Sequence, residues 1–305
     1  MGISPLSRMN AAGEVQMFFS VVVATRNRPQ ALRTLLDSIQ AQTLRPHEII
    51  IVDDGSEPPL QPIENAVCLR NEVSRGACIA RNRGFQKASG KYVFIFDDDA
   101  ELVDRSVLER AVALAESLPK IGAIGFRQLD SKGKVHYMQP ASGECLRCVP
   151  SFFSYGAMLS KEGFDAAGGF FEPLGYYFEE NELSLKLIDK GFQVVYDPSL
   201  TVMHHENPAG RDQRVIQRLC WRNIMYTIVV RYPAAILPVA LLDATLRWVR
   251  LASSSKFFYW EDLKWGIGSL IRNWPALISS RQPVRFRTLR QLRRWRSETV
   301  APRSH

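Results

Sequence analysis

The sequence predicts an α/β fold, a mostly parallel sheet with helices on both faces, joined to a C-terminal helical extension. Three observations predict it. In the first half of the chain, short runs of Val, Ile and Phe alternate with segments whose apolar residues recur at helical spacing, and such alternation builds parallel sheets. The runs are apolar without a break, as strands buried on both faces are. From Arg211 onward only the helical spacing remains.

The first run, Met17 to Ala24 (MFFSVVVA), is followed by Asn27-Arg28-Pro29. Proline suits a helix start, where its missing N–H would be unpaired anyway. Leu32, Leu35, Leu36 and Ile39 then give Ala31 to Ala41 one apolar face. Glu48 to Val52 (EIIIV) is the second strand, ended by the turn sequence Asp53-Asp54-Gly55-Ser56. Gly76 to Ala88 is a helix candidate and Lys91 to Phe96 (KYVFIF) a strand that again ends in acids. Val107 to Ser117 is a helix and Ile121 to Phe126 a short strand. Further on, Phe152 to Leu159 reads as a strand and Gly168-Gly169-Phe170 as a turn. Asn181 to Lys190 reads as a helix stopped by Gly191, and Gln193 to Tyr196 as a strand capped by Asp197-Pro198. The expected organisation is a flexible N-terminus over 1–16, an α/β domain over 17–210 and a helical region over 211–305.

With 305 residues, 46% hydrophobic and 23% charged, the chain can bury a substantial core. Its formal net charge of +8 is concentrated at the end: Arg281 to His305 holds eight Arg against the single acid Glu298. A basic tail points to an acidic partner such as anionic lipid or a phosphorylated carrier, or to a solvated helix face. Nucleic acid would rest on this tail alone, with no recognition motif, and is not expected. Five Cys, an odd number, and no apolar signal segment in Met1 to Gln16 favour a reducing, cytoplasmic setting. Cys145-x-x-Cys148 is a lone pair, where a structural zinc site needs four ligands. The longest uncharged run in the greasy stretch Ile224 to Leu251 is Tyr232 to Leu242, short of the roughly 20 residues a membrane span needs.

In parallel sheets, ligands bind at the carboxyl ends of strands. Here three strands deliver Thr25-Arg26, Asp53-Asp54 and Asp97-Asp98-Asp99 to one edge. Three adjacent acids repel one another. A divalent cation relieves this, since carboxylates are hard ligands suited to Mg2+ or Mn2+, which often share their coordination with substrate phosphates. A turn leading into a helix N-terminus would also favour Asp here. Asp53 and Asp54 fit either a simple turn or acceptors for a ribose hydroxyl or base N–H. No GxGxxG follows the first strand, which argues against a nicotinamide or flavin enzyme.

Seven pieces, SVVVATRNRP (20–29), IIIVDDGS (49–56), GACIARNRG (76–84), FIFDDDAEL (94–102), GGFFEP (168–173), YFEENELSLKLIDKG (177–191) and VMHH (202–205), stand in one order. Together they resemble the bacterial family 2 glycosyltransferases with the GT-A fold of nucleotide-diphospho-sugar transferases, a Rossmann-like mixed sheet flanked by helices. The resemblance spans Phe18 to His205. It implies an inverting enzyme that moves a sugar from a UDP-, GDP- or dTDP-sugar to a hydroxyl of a saccharide or lipid-linked acceptor, in cell-surface polysaccharide or glycolipid assembly. It implies that Thr25 and Arg26, with Asp53 or Asp54, hold the nucleotide and that Arg81 lies near the base or diphosphate. Asp97-Asp98-Asp99 matches the DxD motif. There Asp99 binds Mn2+ or Mg2+, Asp97 contacts the nucleotide or serves as second ligand, and Asp98 groups with the nucleotide contacts. Glu179-Glu180 stands where the family usually has Glu-Asp, so Glu180, one methylene longer, takes the place of the base. His204 matches a late His that completes the metal's coordination, with His205 as the neighbouring alternative. The chemistry needs these types: a cation stabilises a departing diphosphate, Arg grips phosphate, a carboxylate takes the acceptor's proton, and opposite-face attack inverts the anomeric centre.

Arg285 to Arg296 sets Phe286, Leu289, Leu292 and Trp295 at steps of three with Arg between them. That is a basic amphipathic helix, the kind that lies on anionic membranes, and it is expected to dock on the inner face of the cytoplasmic membrane. The alternative is that the stripe packs on the α/β domain. Two other functions compete. A sugar-1-phosphate nucleotidyltransferase expects glycines after the first strand, and ATRNRP has none. A non-catalytic nucleotide-sugar or membrane-binding module would leave Glu180 dispensable.

Overall fold

The computed structural model describes residues 7–9, 15–17, 19–205, 212–253 and 260–299. Within the expected flexible lead-in, Ser7–Met9 (β1) pairs antiparallel with Val15–Met17 (β2); the rest of 1–16 lies outside the described residues. The first half of the α/β domain then runs Phe19–Thr25 (β3), Pro29–Gln40 (α1), Glu48–Asp54 (β4), Val67–Asn71 (β5), Ala77–Lys87 (α2), Tyr92–Asp97 (β6), Ala100–Glu101 (β7), Val107–Ser117 (α3) and Ile121–Leu129 (β8). The second half adds Arg147–Cys148 (β9), Gly156–Ser160 (β10), Lys161–Ala167 (α4), Glu179–Asp189 (α5) and Gln193–His204 (β11). Four helices follow: Gln213–Arg231 (α6), Leu237–Ser253 (α7), Trp260–Ser279 (α8) and Phe286–Thr299 (α9).

The sheet order is β5-β4-β3-β6-β10-β8-β11-β7, with β9 on β11. β3, β4, β5 and β6 are parallel neighbours, and β10 is inserted antiparallel between β6 and β8. The mixed α/β sheet with flanking helices is therefore as the sequence predicts. Period-two alternation sorts its side chains. Val21, Val23, Ile51, Phe94 and Phe96 pack with α1 and α3. Val22, Ile50, Val52, Val93 and Ile95 pack with α2, α4 and α5 on the other face. Gly84 of α2 sits so close to β3 that a Cβ would meet Val22 Cγ1 at 2.3 Å.

Several expectations change. The strand read over Phe152–Leu159 starts only at Gly156, and residues 152–155 form a loop. The strand expected to stop at Tyr196 continues to His204, and Asp197-Pro198 is a bulge, not a cap: the register shifts between Asp197 and Thr201. A proline, lacking its N–H, is tolerated in a strand at such a bulge. All five Cys are free. Three of the four apolar residues of the α9 stripe face inward: Leu292 is buried, and Leu289 and Trp295 pack against the same core as α2, α5 and α6, while Phe286 is exposed. Asp189 of α5 accepts from Thr288 Oγ1 (2.6 Å) and Arg285 N (2.9 Å) and ties down the start of α9. No described helix is long and apolar enough to cross a membrane.

Candidate active site

Register sets the site. Thr25 pairs with Asp53, and Ala24 with Asp97, so three parallel strands end level with one another. The turn after β4 is built by its two acids. Asp53 accepts from Ser56 N (2.8 Å), Leu60 N (3.2 Å) and Arg70 (2.5 Å). Asp54 accepts from Asn71 (2.6 Å), Ser74 (2.8 Å), Arg75 N (2.9 Å) and Gly76 N (2.9 Å). Burial works against both charges, but these bonds outweigh it and hold both carboxyls below the usual range. Gly55 has φ +75°, and a Cβ there would lie 2.6 Å from Ser74 N, so the turn needs glycine. Asp54 thus spends its acceptors on the loop 71–76. Arg26 is exposed at the end of β3 and makes no ion pair or hydrogen bond with the described residues.

The acidic triplet divides. Asp98 is buried; Thr25 Oγ1 (2.8 Å) and Arg28 (3.1 Å) donate to it, and burial nevertheless pushes its carboxyl up to about 6. Asp97 and Asp99 turn toward β11 instead. β7 pairs with the end of β11, His204 opposite Ala100, which brings His204 Nε2 to 2.8 Å from Asp99 Oδ1 and 3.8 Å from Asp97 Oδ2. One ligand atom from each of Asp97, Asp99 and His204 lies within 4.8 Å of the others, and this is the one such group found among the described residues. His205 turns away and pairs with Glu101 (2.6 Å). Behind His204, Gln128 Nε2 lies 2.8 Å from Nδ1. A cavity of about 540 Å³ opens beside Asp99, lined by Asn27, Arg28, Thr34, Glu101 and His205 among others. Arg28, which sequence reasoning did not single out, also donates to Asp99 (2.8 Å).

Arg81 is 3% exposed and fully engaged, where it was expected at the base or diphosphate. Its NH1 donates to Glu179 (2.7 Å) and its NH2 to Asp97 (2.8 Å) and Ser154 Oγ (2.9 Å). Ser154 donates in turn to Glu180 Oε1 through Oγ (2.7 Å) and N (3.0 Å). Glu180 Oε2 receives no bond from the described residues. A chain of three contacts therefore joins Asp97 to Glu180 through Arg81 and Ser154. Ser154 lies in the loop before β10 and carries no sequence signal. Glu179 is 1% exposed; burial, with Glu180 adjacent, pushes its carboxyl up to about 8 against the pull of Arg81.

The approach to α5 is strained. Tyr177 and Phe178 both have φ +69°, a region that costs bulky residues about 1 kcal/mol or more each. The preceding carbonyls are all held. Arg222 and Asn223 of α6 donate to Leu174 O (2.7 and 2.9 Å), Cys78 N to Gly175 O (3.0 Å), and Asn223 Nδ2 to Tyr176 O (2.9 Å) and Tyr177 O (2.6 Å). Asn223 is fully buried.

Residues 20–171 match the family described as Glycosyl transferase family 2, and the chain belongs to that family. Its relatives are mostly bacterial. An O-antigen biosynthesis protein of Myxococcus xanthus is 27% identical over 66% of this chain and 18% of its own length. An uncharacterized glycosyltransferase of Bacillus subtilis is 42% identical over 27% of this chain and 33% of its own. The chain thus spans a third or less of the length of these two relatives. Among solved structures, a mannosyltransferase of Pyrobaculum calidifontis in complex with GDP-Man and Mn2+ superposes with TM-score 0.54 at 17% identity, over 87% of this chain and 85% of that one. TarS (1–349) of S. aureus with UDP-GlcNAc gives TM-score 0.59 at 17% identity, over 79% and 75%. These likenesses show the GT-A fold.

Proposed function

We propose that the protein transfers a sugar from a nucleotide-diphosphate donor to a hydroxyl of a saccharide or lipid-linked acceptor, with inversion, at the inner face of the cytoplasmic membrane. The observation that carries the reading is the meeting of Asp97, Asp99 and His204 at one point, linked through Arg81 and Ser154 to Glu180. The donor set fits Mn2+ or Mg2+: two carboxylates and one imidazole leave positions open for diphosphate oxygens. Bound there, the cation would offset the charge that develops on the leaving diphosphate. If His204 ligates through Nε2, its proton moves to Nδ1, and Gln128 accepts it by presenting Oε1 in place of Nε2.

Glu180 is the acceptor's base in this reading. Ser154 fixes Oε1, and Oε2 is left to take the hydroxyl proton. Arg81 and Glu179 are positioning residues: the guanidinium orients Asp97 and Ser154 together. Arg28 and Arg26 are the cations available to phosphate. Thr25, Asp53, Asp54 and Asp98 shape the nucleotide's floor, Asp54 through the loop it holds. A role in cell-surface polysaccharide or glycolipid assembly draws support from the Myxococcus xanthus protein. A lipid-linked acceptor draws support from an Escherichia coli relative that acts on a diphosphoundecaprenol-linked sugar, 31% identical over 26% of this chain.

The test is a donor panel of UDP-, GDP- and dTDP-sugars with the purified chain, with Mn2+ or with chelator, reading donor binding and slow hydrolysis. One donor should respond, and only with metal. Asp99→Asn should raise the metal concentration needed by about 10-fold or more. Glu180→Gln should keep donor binding and cut turnover by about 100-fold or more. No response to any donor would overturn the reading; donor binding without turnover in the wild-type chain would favour a non-catalytic module, and full turnover in Glu180→Gln would remove Glu180 as the base.

A further inference from the structure

α8 turns an apolar row outward. Trp260, Lys264, Ile267, Ile271, Trp274 and Ile278 follow one another at steps of four and three, which sets them on one face of the helix. The five apolar members are 60, 43, 69, 39 and 41% exposed. The opposite face is occupied. A Cβ on Gly266 would lie 1.8 Å from the Trp221 ring of α6, Leu277 and Asp262 are buried, and Arg214 Nε donates to Asp262 (2.8 Å). Arg218 stacks on Trp265 at 4.4 Å. α8 is therefore locked on α6 and cannot roll to bury its outer row. On α7, also packed on α6 through Trp221 and Trp248, Val239, Leu242 and Leu246 are 69, 60 and 57% exposed. Single exposed aliphatics are ordinary, but a sustained row marks a surface that meets something.

We propose that the outer row of α8 is where the protein lies on an anionic lipid bilayer, with its Ile side chains in the interface. Charge selects this occupant. Residues 237–296 hold twelve Lys and Arg against three acids, whereas residues 1–236 hold 26 against 27. Seven of the twelve are Arg at 281–296, on α9 and the segment that joins it to α8, while α7 and α8 hold four bases against three acids; anionic headgroups attract this basic segment together with the apolar row that precedes it in the chain. Trp260 and Trp274 suit the headgroup boundary, where an apolar ring with one N–H is favoured. Lys264 lays its stem along the row and keeps its ammonium in water. Since no described helix can span, the contact is parallel to the surface. This assignment replaces the role expected of α9, whose apolar stripe is packed apart from Phe286, and it does not depend on the glycosyl transfer reading.

The experiment is co-sedimentation of the full chain with vesicles of phosphatidylcholine alone or phosphatidylcholine with phosphatidylglycerol, at low salt and at about 0.1 M salt. Binding should require phosphatidylglycerol, weaken with salt, and fall about tenfold or more in Ile271→Glu and in Ile267→Glu/Trp274→Glu. Both variants should keep wild-type circular dichroism and donor binding, because these side chains are exposed. Val135→Glu, exposed elsewhere (54%), should bind vesicles like wild type. Absent binding to anionic vesicles, or binding that survives both α8 variants, would overturn the proposal. So would a dimer in sedimentation equilibrium that Ile271→Glu dissociates, since the row would then be a self-association surface.

Discussion

Glu179 and Glu180 are adjacent in sequence and carry different loads. Glu179 is enclosed with Arg81, and its carboxyl is pushed up to about 8 from 4.5 by burial and by Glu180. The folded chain therefore keeps a proton that the unfolded chain releases. The stability this contributes is fully present below about pH 4.5 and is lost as pH rises toward about 8. Glu179→Gln imitates the protonated form. In metal-free buffer its Tm should exceed that of wild type at pH 8, with the difference closing toward pH 5. Superimposable Tm–pH curves would mean that Arg81 holds Glu179 ionised. At this scale Asp53, Asp54 and Asp97 to Asp99 were legible as the ends of buried runs, and Glu180 and His204 only through the motifs of the family resemblance. Arg28, Ser154 and Gln128 were not: each acts across more than 25 positions of sequence, and only the fold brings them to their partners.

Among the elements, the long apolar strands and α3 could be read directly, since a buried run is bounded by turn residues. The elements that escaped were β1, β2, β5, β7, β9 and α4. β7 and β9 are two residues each, and β5 is an edge strand whose sequence, VCLRN, alternates too briefly to stand out. The bulge in β11 escaped because Asp-Pro ordinarily ends a strand, while here β8 continues the pairing beyond it. The strained entry to α5 could not be foreseen either, since its carbonyls are held by α6. Asn223→Ala should therefore lower kcat about tenfold or more with little change in donor KM, because it loosens the helix that carries the proposed base Glu180 and leaves Asp97, Asp99 and His204 alone. It should also cost about 1–3 kcal/mol of stability from unpaired carbonyls. Asn223→Asp, of equal size but without donors, should reproduce both effects. An unchanged kcat in either variant would show that the loop keeps its shape without α6.

For the molecule as a whole, the helical region is continuous with the core of the α/β domain. Tyr226, Val229 and Val230 of α6, Leu277 of α8 and Leu292 of α9 belong to the same cluster as Val22 and Ile95 of the sheet. Unfolding should then be one transition. All six Trp lie between positions 221 and 295, so Trp fluorescence reports the helices while far-ultraviolet circular dichroism reports the entire chain. Denaturant curves from the two probes should coincide. Gly266→Ala, which forces a methyl into the Trp221 ring, should shift both curves together by about 1–3 kcal/mol. Separate midpoints would show that the helices unfold as a unit of their own.

The clamp at Asn223 bears on how such proteins can be recombined. The stretch that matches the family stops at 171, yet the helix that carries the proposed base Glu180, the proposed metal ligand His204 and the Asn223 clamp all come later. In the proposed reading, a chimera joined at that border would take the strand-end acids from one parent and Glu180, positioned by α6, from the other. Exchange of acceptor preference between relatives should succeed only when residues 172–231 travel as one cassette.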